Sequence, residues 1–259
     1  IGKTRLAAAL CCTAHADGAA VLLGRCYEES LVPYQPFVEA LSQYVAESPL
    51  DELRLQVGPH RATLGRLLPE LAAQAPQPSI SSTIEYPERE RYRLFDAVAS
   101  LLREVADARP LILVLDDLHW ADAATLLLLR HVARSSDETR MLILGTYRET
   151  EVDEAHPLAQ ALAELRRARV LVSLRIGGLG DDDVAKLIST RAGREAPAPF
   201  ARSIRDRTEG NPFFVEEVLR DVGVGDDWSA AIARIGVPET VKDLLLRACA
   251  DWTTTADGC

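Results

Sequence analysis

The chain has 259 residues, of which 47% are hydrophobic, 26% charged and 5% aromatic, room for one large domain or a medium one with a small companion, around a core of Leu, Ala and Val. A formal net charge of -10 argues against this segment gripping a nucleic-acid backbone, which requires Lys and Arg gathered on one face. No apolar run reaches the roughly 20 residues needed to cross a bilayer. Five cysteines (Cys11, Cys12, Cys26, Cys249, Cys259) form no C-x-x-C pair and no metal-ligand spacing, which suits a reducing, cytoplasmic setting better than a disulfide framework.

In chain order, "TRLAAALCCTAH" (4–15) reads as a buried helix and "AAVLLGRCY" (19–27) as a short strand. A long helical stretch follows, interrupted at Pro33, Pro36, Pro49, Pro59 and Pro69, and then a Pro-rich loop over 74–88. "RERYRLFDAVASLLREVADA" carries helical periodicity through Tyr92, Phe95, Val98, Leu102 and Val105. Next come the apolar runs "PLILVLDD" (110–117) and "RMLILGTYR" (140–148), with the helix "DAATLLLLRHVARS" between them. Continuous Leu/Ile/Val runs without alternation mark strands buried on both faces, hence a parallel sheet. A helix, "HPLAQALAELRRAR", leads to a last predicted strand, "VLVSLRI" (170–176); its basic "LRRAR" (165–169) fits a solvated helix face. Strands alternating with helices in this way predict a doubly wound α/β domain. Beyond "GGLGDDD" (177–183) the pattern is helical only, over roughly 182–192, 199–208, 212–221 and 238–250. We therefore expect an α/β domain over 1–177, a small helical domain over 178–250 and an irregular tail over 251–259.

Four stretches carry chemistry. "IGKTRL" contains Gly2-Lys3-Thr4, the closing half of a phosphate-binding loop, G-x-x-x-x-G-K-[ST]. In that reading Lys3 neutralises the β- and γ-phosphates, the Thr4 hydroxyl binds Mg²⁺, and the amides of Gly2 to Arg5 open a helix toward the phosphates. "LILVLDDLHWAD" sets Asp116 and Asp117 at the C-terminal tip of a buried strand, where open α/β sheets bind ligands. One acid there holds Mg²⁺ with Thr4, and the second orients the attacking water. Capping of the next helix is the bland alternative for Asp-Asp alone. "LILGTYRETE" ends in Thr146-Tyr147-Arg148, whose Thr146 or Arg148 would sense the terminal phosphate. "TEGNPFFVEEVLR" has a Gly210-Asn211-Pro212 turn, with Asn211 as N-cap and Pro212 at N1 of a new helix.

Taken together, "GKTRLA", "LVLDDLHWAD", "GTYRETEVDEAHPLA", "GGLGDDDVAKLI" and "TEGNPFFVEEVLR" resemble the ATPase module of bacterial STAND regulators. These are signal-transduction ATPases with numerous domains, found in LuxR-type transcriptional activators and some adenylate-cyclase fusions. The resemblance implies a P-loop (AAA-like) parallel sheet in the order 5-1-4-3-2, with the chain cut inside its own phosphate loop and its first strand missing. It implies Lys3 and Thr4 at the phosphates and Mg²⁺, Asp116 and Asp117 as the acidic pair, and Arg148 as the arginine after the strand. Gly210 and Pro212 would belong to a helical lid that closes near the adenine. The implied cofactors are ATP or ADP and Mg²⁺, with self-association of the full-length parent when ATP is bound, no direct DNA binding by this segment, and no membrane. Two other readings remain open: a non-catalytic interaction module, and a replication-type clamp or helicase loader. His119 and Trp120 receive no role beyond packing.

Overall fold

A computed structural model describes residues 2–29, 32–72, 87–136 and 139–222. Residues 74–86 of the Pro-rich loop, the helix expected over 238–250 and the tail at 251–259 lie outside the described residues. The elements run α1 (Lys3–Ala16), β1 (Ala20–Arg25), α2 (Gln35–Glu47), α3 (Leu50–Val57), α4 (Arg61–Leu64), α5 (Pro69–Ala72), α6 (Pro87–Ala108), β2 (Leu111–Asp116), α7 (Ala123–Arg134), β3 (Met141–Gly145), α8 (Pro157–Arg167), α9 (Asp181–Ala192), α10 (Ala198–Thr208) and α11 (Pro212–Val222). Proline, which lacks an N–H and cannot continue a helix, stands at the start of several of them: Pro36 in α2, Pro49 before α3, Pro69 in α5 and Pro87 in α6. Pro87 and Glu88, expected to end a loop, thus open a helix instead.

The three strands are parallel in the order β1-β2-β3, with Ala20 beside Leu111 and Leu111 beside Met141. This matches the adjacent 4-3-2 portion of the expected sheet. All six residues of β2 are buried, as its unbroken apolar run predicts. On one face Leu22, Leu113 and Leu115 join the main core with Phe37 and Leu41 of α2, Leu102 of α6 and Leu128 of α7. Each fully buried leucine there contributes about 2 kcal/mol. On the other face Ile112 and Val114 meet Ala7 of α1. α7 is capped by Asp122, whose carboxylate accepts from Thr125 N–H at 2.8 Å. No helix among the described residues is long and apolar enough to cross a membrane.

Two expectations are corrected. α1 is not a buried helix: Ala7 is its one buried residue, while Leu6 and Leu10 are 51% and 42% exposed. It meets the sheet through a narrow stripe of small side chains, Ala7, Cys11 and Ala14, spaced four and then three residues apart on one helical face. Residues 170–176 form no strand in the described sheet, and Val172 and Leu174 are 93% and 79% exposed. A strand exists only through ladder bonds to a neighbour, and neither β1 nor β3 provides them here.

The chain divides into two compact units, Thr4–Ser173 and a smaller one that comprises Ile1–Lys3 and the chain from Leu174 on. The first holds the sheet. The second is helical, with Val184, Ile188, Phe200, Ile204, Val215 and Leu219 from α9, α10 and α11 forming its own core. Within it Leu179 N–H donates to the Gly210 carbonyl at 2.7 Å. The backbones run so close that a Cβ on Gly178 would sit 2.0 Å from the Glu209 oxygen, and one on Gly210 2.2 Å from the Leu179 oxygen. Gly210 also has φ +69°, a conformation glycine adopts without steric cost. Asn211 caps α11 as expected, accepting from Phe213 N–H at 3.2 Å.

Candidate functional site at the strand tips

The C-terminal ends of β1, β2 and β3 converge on one buried carboxylate. Asp116, the last residue of β2, is 1% exposed. Thr4, in the first turn of α1, donates its hydroxyl to the carboxylate at 3.1 Å from each oxygen. Thr146, just past β3, donates at 2.5 Å to Oδ1, and the Arg25 guanidinium at the tip of β1 lies 3.2 Å from Oδ2. Three other chain segments therefore meet at the Asp116 side chain: the parallel register delivers the ends of β1 and β3, and the packing of α1 on the sheet delivers Thr4.

Thr146 is the clamp of this arrangement. Its N–H donates to the Leu115 carbonyl at 3.0 Å and its own carbonyl accepts from Leu118 N–H at 2.8 Å. Its hydroxyl accepts from Asp117 N–H at 3.1 Å while donating to Asp116. Four consecutive residues, 115 to 118, are thereby fixed by one threonine. Asp117 is held with φ 58°, ψ 44°, a left-handed conformation that costs a non-glycine residue about 1 kcal/mol. Strain of that kind persists where surrounding bonds over-determine it, often at functional sites.

β1 reaches the tip because glycine lets it. A Cβ on Gly24 would lie 1.8 Å from the Pro36 carbonyl oxygen, so α2 packs directly on the strand there. Arg25 N–H is then accepted by Glu39 of α2 at 2.9 Å, and Cys26 N–H by the Asp116 carbonyl at 2.9 Å. The Cys26 thiol reports the local field. Burial, followed by the charges of Asp117, Asp122, Asp116 and Glu39, pushes it up to about 12. The tip is electronegative, with one partly exposed guanidinium to offset it.

After Asp117 the chain makes a short 3₁₀ turn, Leu118–Trp120, and after Arg148 a second one, Glu149–Glu151. Arg148 pairs with Glu151 at 2.7 Å and its guanidinium carbon lies 5.7 Å from the Trp120 ring centre. His119 is buried between these turns, its ring 4.5 Å from that of Trp120.

Residues 1–144 match the AAA ATPase domain family. The chain belongs to that family. Its match to this ATPase domain runs from α1 through nearly the whole of β3. Among solved structures, a Walker-type ATPase of Pyrococcus abyssi is similar at 16% identity and a TM-score of 0.43, over 92% of this chain and 65% of that one. The chain spans less than two thirds of that protein's length. No curated protein matches the chain.

At the strand tips the structure brings together Thr4 and Asp116 of the matched ATPase domain with Thr146, two residues past it, and the Asp117 backbone is bonded to Thr146. Gly2, at φ +69°, precedes α1, Lys3 opens it and Arg5 lies exposed in its first turn. Arg148 is turned toward Glu151 and Trp120. Gly210 and Pro212 lie in the helical unit, at the turn before α11. Arg25 is the member that sequence reasoning missed. It closes an apolar strand just as Asp116 does, so the strand-tip rule that found Asp116 could have found it.

Proposed function

We propose that this AAA ATPase domain binds ATP or ADP with Mg²⁺ and hydrolyses ATP slowly, as the switch of a STAND-type regulator such as those of the LuxR type. The observation that carries the reading is the Thr4–Asp116 pair, two hard oxygen donors held side by side by residues 112 apart in sequence. No group of three or more His, Cys, Asp or Glu side chains among the described residues can hold a metal ion. A hydroxyl beside one fixed carboxylate fits a cation that keeps its waters and shares phosphate oxygens, as Mg²⁺ does, and the electronegative tip favours its charge. Thr4 and Asp116 would hold it. Mg²⁺ bound there would offset the charge that develops on the phosphates.

The remaining roles belong to this chain's own side chains. Lys3, at the start of α1, faces the phosphates with the amides of Gly2 to Arg5, where the helix dipole adds to its charge. Thr146 fixes the Asp116 carboxylate and the Asp117 backbone, so the Asp116 carboxylate need not be ordered during the reaction. Asp117 orients the attacking water through its carboxylate, and Arg148 supplies charge toward the terminal phosphate. Gly210 and Pro212 enter the reading through the family resemblance. The two-domain division at 177/178 rests on the end of the strand pattern near Gly177, the cytoplasmic setting on the scattered cysteines, and self-association of an ATP-bound parent on the same resemblance.

Calorimetric titration with Mg-ATP and Mg-ADP tests this, on the chain itself and on a chain extended by a strand and a G-x-x-x segment ahead of Ile1, which completes G-x-x-x-x-G-K-[ST] with Ile1 as its fourth variable residue. Lys3→Ala should weaken binding in the extended chain by roughly ten- to a hundredfold, the equivalent of losing one charge-assisted contact of about 1.5–3 kcal/mol. Asp117→Asn should spare binding and slow hydrolysis. Equal loss of binding in both variants, or no binding by either chain, would overturn the assignment.

A further inference from the structure

One contact at the strand tips has no part in the roles above. The Asp116 carboxylate is surrounded by donors. Oδ1 accepts from Thr146 at 2.5 Å and from Thr4 at 3.1 Å; Oδ2 accepts from Thr4 at 3.1 Å and from the Arg25 guanidinium at 3.2 Å. A carboxylate offers about four acceptor positions, so anything else that reaches Asp116 has to move one of these donors. They differ in how readily they yield. Thr146 is tied by its own N–H, carbonyl and hydroxyl to Leu115, Leu118 and Asp117. Thr4 gives its single proton to the carboxylate and keeps its lone pairs, so it can donate there and face a cation at once. Arg25 sits on a long, flexible stem, its side chain 47% exposed against 2% for Asp116. Its backbone is held separately, the N–H donating to Glu39 at 2.9 Å, so the guanidinium can swing away without disturbing β1.

We propose that Arg25 is a built-in competitor for the divalent cation at Asp116: its guanidinium holds Oδ2, and it has to turn out to solvent before Mg²⁺, or a water of its shell, is accepted beside Thr4. The proposal rests on the ATPase reading above, which assigns Mg²⁺ to Thr4 and Asp116, and it adds a threshold to that reading. Two cations on neighbouring positions of one carboxylate repel each other, so the guanidinium and the metal exclude one another. A site that is open for only part of the time binds with an apparent Kd raised in proportion. An exposed ion pair is weak, but here the carboxylate partner is buried, which puts the pair at the upper end of the range for exposed ones. Competition of that strength raises the apparent Kd for the cation by about fivefold. The strand tips thereby respond to the concentration of free divalent cation, and Arg25 sets where that response begins.

The test uses the chain as it stands, without nucleotide, and Mn²⁺ as the probe, because carboxylate and hydroxyl oxygens suit both ions. Electron paramagnetic resonance counts the free Mn²⁺ during titration. Arg25→Met, which removes the charge and brings no oxygen, should tighten Mn²⁺ binding by about fivefold. In the same series MnCl₂ should raise the Tm of Arg25→Met more than that of wild type, since a ligand that binds the folded chain more tightly stabilises it more. Arg25→Gln should match Arg25→Met; a gain confined to Arg25→Gln would belong to the new side-chain carbonyl and overturns the proposal. The double variant Arg25→Met, Asp116→Asn should lose the gain, and a gain that survives there would come from the general field of an acidic tip and overturns it too. Equal Mn²⁺ binding by wild type and Arg25→Met, whether measurable or nil, overturns this proposal alone, because the nucleotide titration above judges the ATPase reading separately. Measurable wild-type binding that Asp116→Asn leaves unchanged overturns both.

Discussion

Replacing Thr146 by valine removes one hydroxyl and keeps the side-chain shape. That hydroxyl donates at 2.5 Å to the buried Asp116 carboxylate and accepts at 3.1 Å from Asp117 N–H. A bond to a charged group is worth about 1.5–3 kcal/mol, and a buried donor left without a partner costs about 1–3 kcal/mol. Asp116 keeps Thr4 and Arg25 as partners, and Asp117 can reach water, so the lower half of each range applies. Thr146→Val should therefore cost about 3 kcal/mol. Thr146→Ser keeps both bonds and loses one buried methyl, about 1 kcal/mol. With a urea dependence of about 2 kcal/mol per molar, the midpoint should fall by about 1.5 M for valine and about 0.5 M for serine. The far-UV signal during urea titration reads both. Equal midpoints for the two variants would refute the reasoning, since they would mean that the hydroxyl at the centre of the strand tips carries no weight.

Two further outcomes follow from backbone contact and from charge. Gly24→Ala places a methyl where the Pro36 carbonyl oxygen lies 1.8 Å away, with two more backbone atoms within 3 Å, whereas Gly177 has nothing within 4 Å. Overpacking of that kind costs about 3 kcal/mol, a fall of about 6–12 °C in Tm for a chain of this size, while Gly177→Ala should melt close to wild type; similar melting of both would contradict the packing of α2 on β1. In the helical unit, the Arg205 hydrogen bond at 2.8 Å, helped by the charges of Arg205 and Arg202, holds the Asp181 carboxyl below its ordinary value. A depressed carboxyl stabilises fully above the unfolded pKa of about 3.9 and loses that contribution as pH falls through the folded value. The gap in urea midpoint between wild type and Asp181→Asn should thus be widest near neutrality and close below about pH 4. A gap that does not change with pH would remove the ion pair as its cause.

Much of the larger unit was legible because its strands advertise themselves. β2 and β3 are both apolar runs without alternation, which pointed to parallel strands, while their order came with the family resemblance; β3 departs from the expected burial on both faces, since it is an edge strand with no buried residue and Leu142 47% exposed. α6 showed its buried face through Phe95, Val98, Leu102 and Val105, although Tyr92, on the same stripe, stands exposed and meets His131 edge-on at 5.5 Å. Two signals misled for one reason: they describe a segment and not its neighbour. "VLVSLRI" has the apolar content of a strand, but a ladder belongs to two strands at once. "TRLAAALCC" is apolar enough to be buried, but only what packs on a helix decides how many of its faces are covered. At the strand tips, Thr4, Asp116 and Thr146 could be read because loop and strand-end motifs mark them. Arg25 was open to the same strand-end reading but was passed over, and the register sets it beside Asp116; a glutamate among glutamates, such as Glu151, looks like surface until the fold brings it to 3.2 Å from His119.

The same tip sets an order of events during folding. Asp116 meets Thr146 across 30 residues, Arg25 across 91 and Thr4 across 112. Chain closure over the 30-residue span costs about 1 kcal/mol less than over the 91-residue one, so β2 and β3 pair first and the Thr146 clamp closes with them. β1 arrives later, through contacts distant in sequence that slow folding, and α1 brings Thr4 last. Until then one edge of β2 is open, and its six apolar-flanked positions can pair with any strand that reaches them. The order makes the Thr4 corner of the strand tips the final piece assembled, so on the proposed reading a nucleotide held by Thr4 beside Asp116 would select chains whose sheet is already in register.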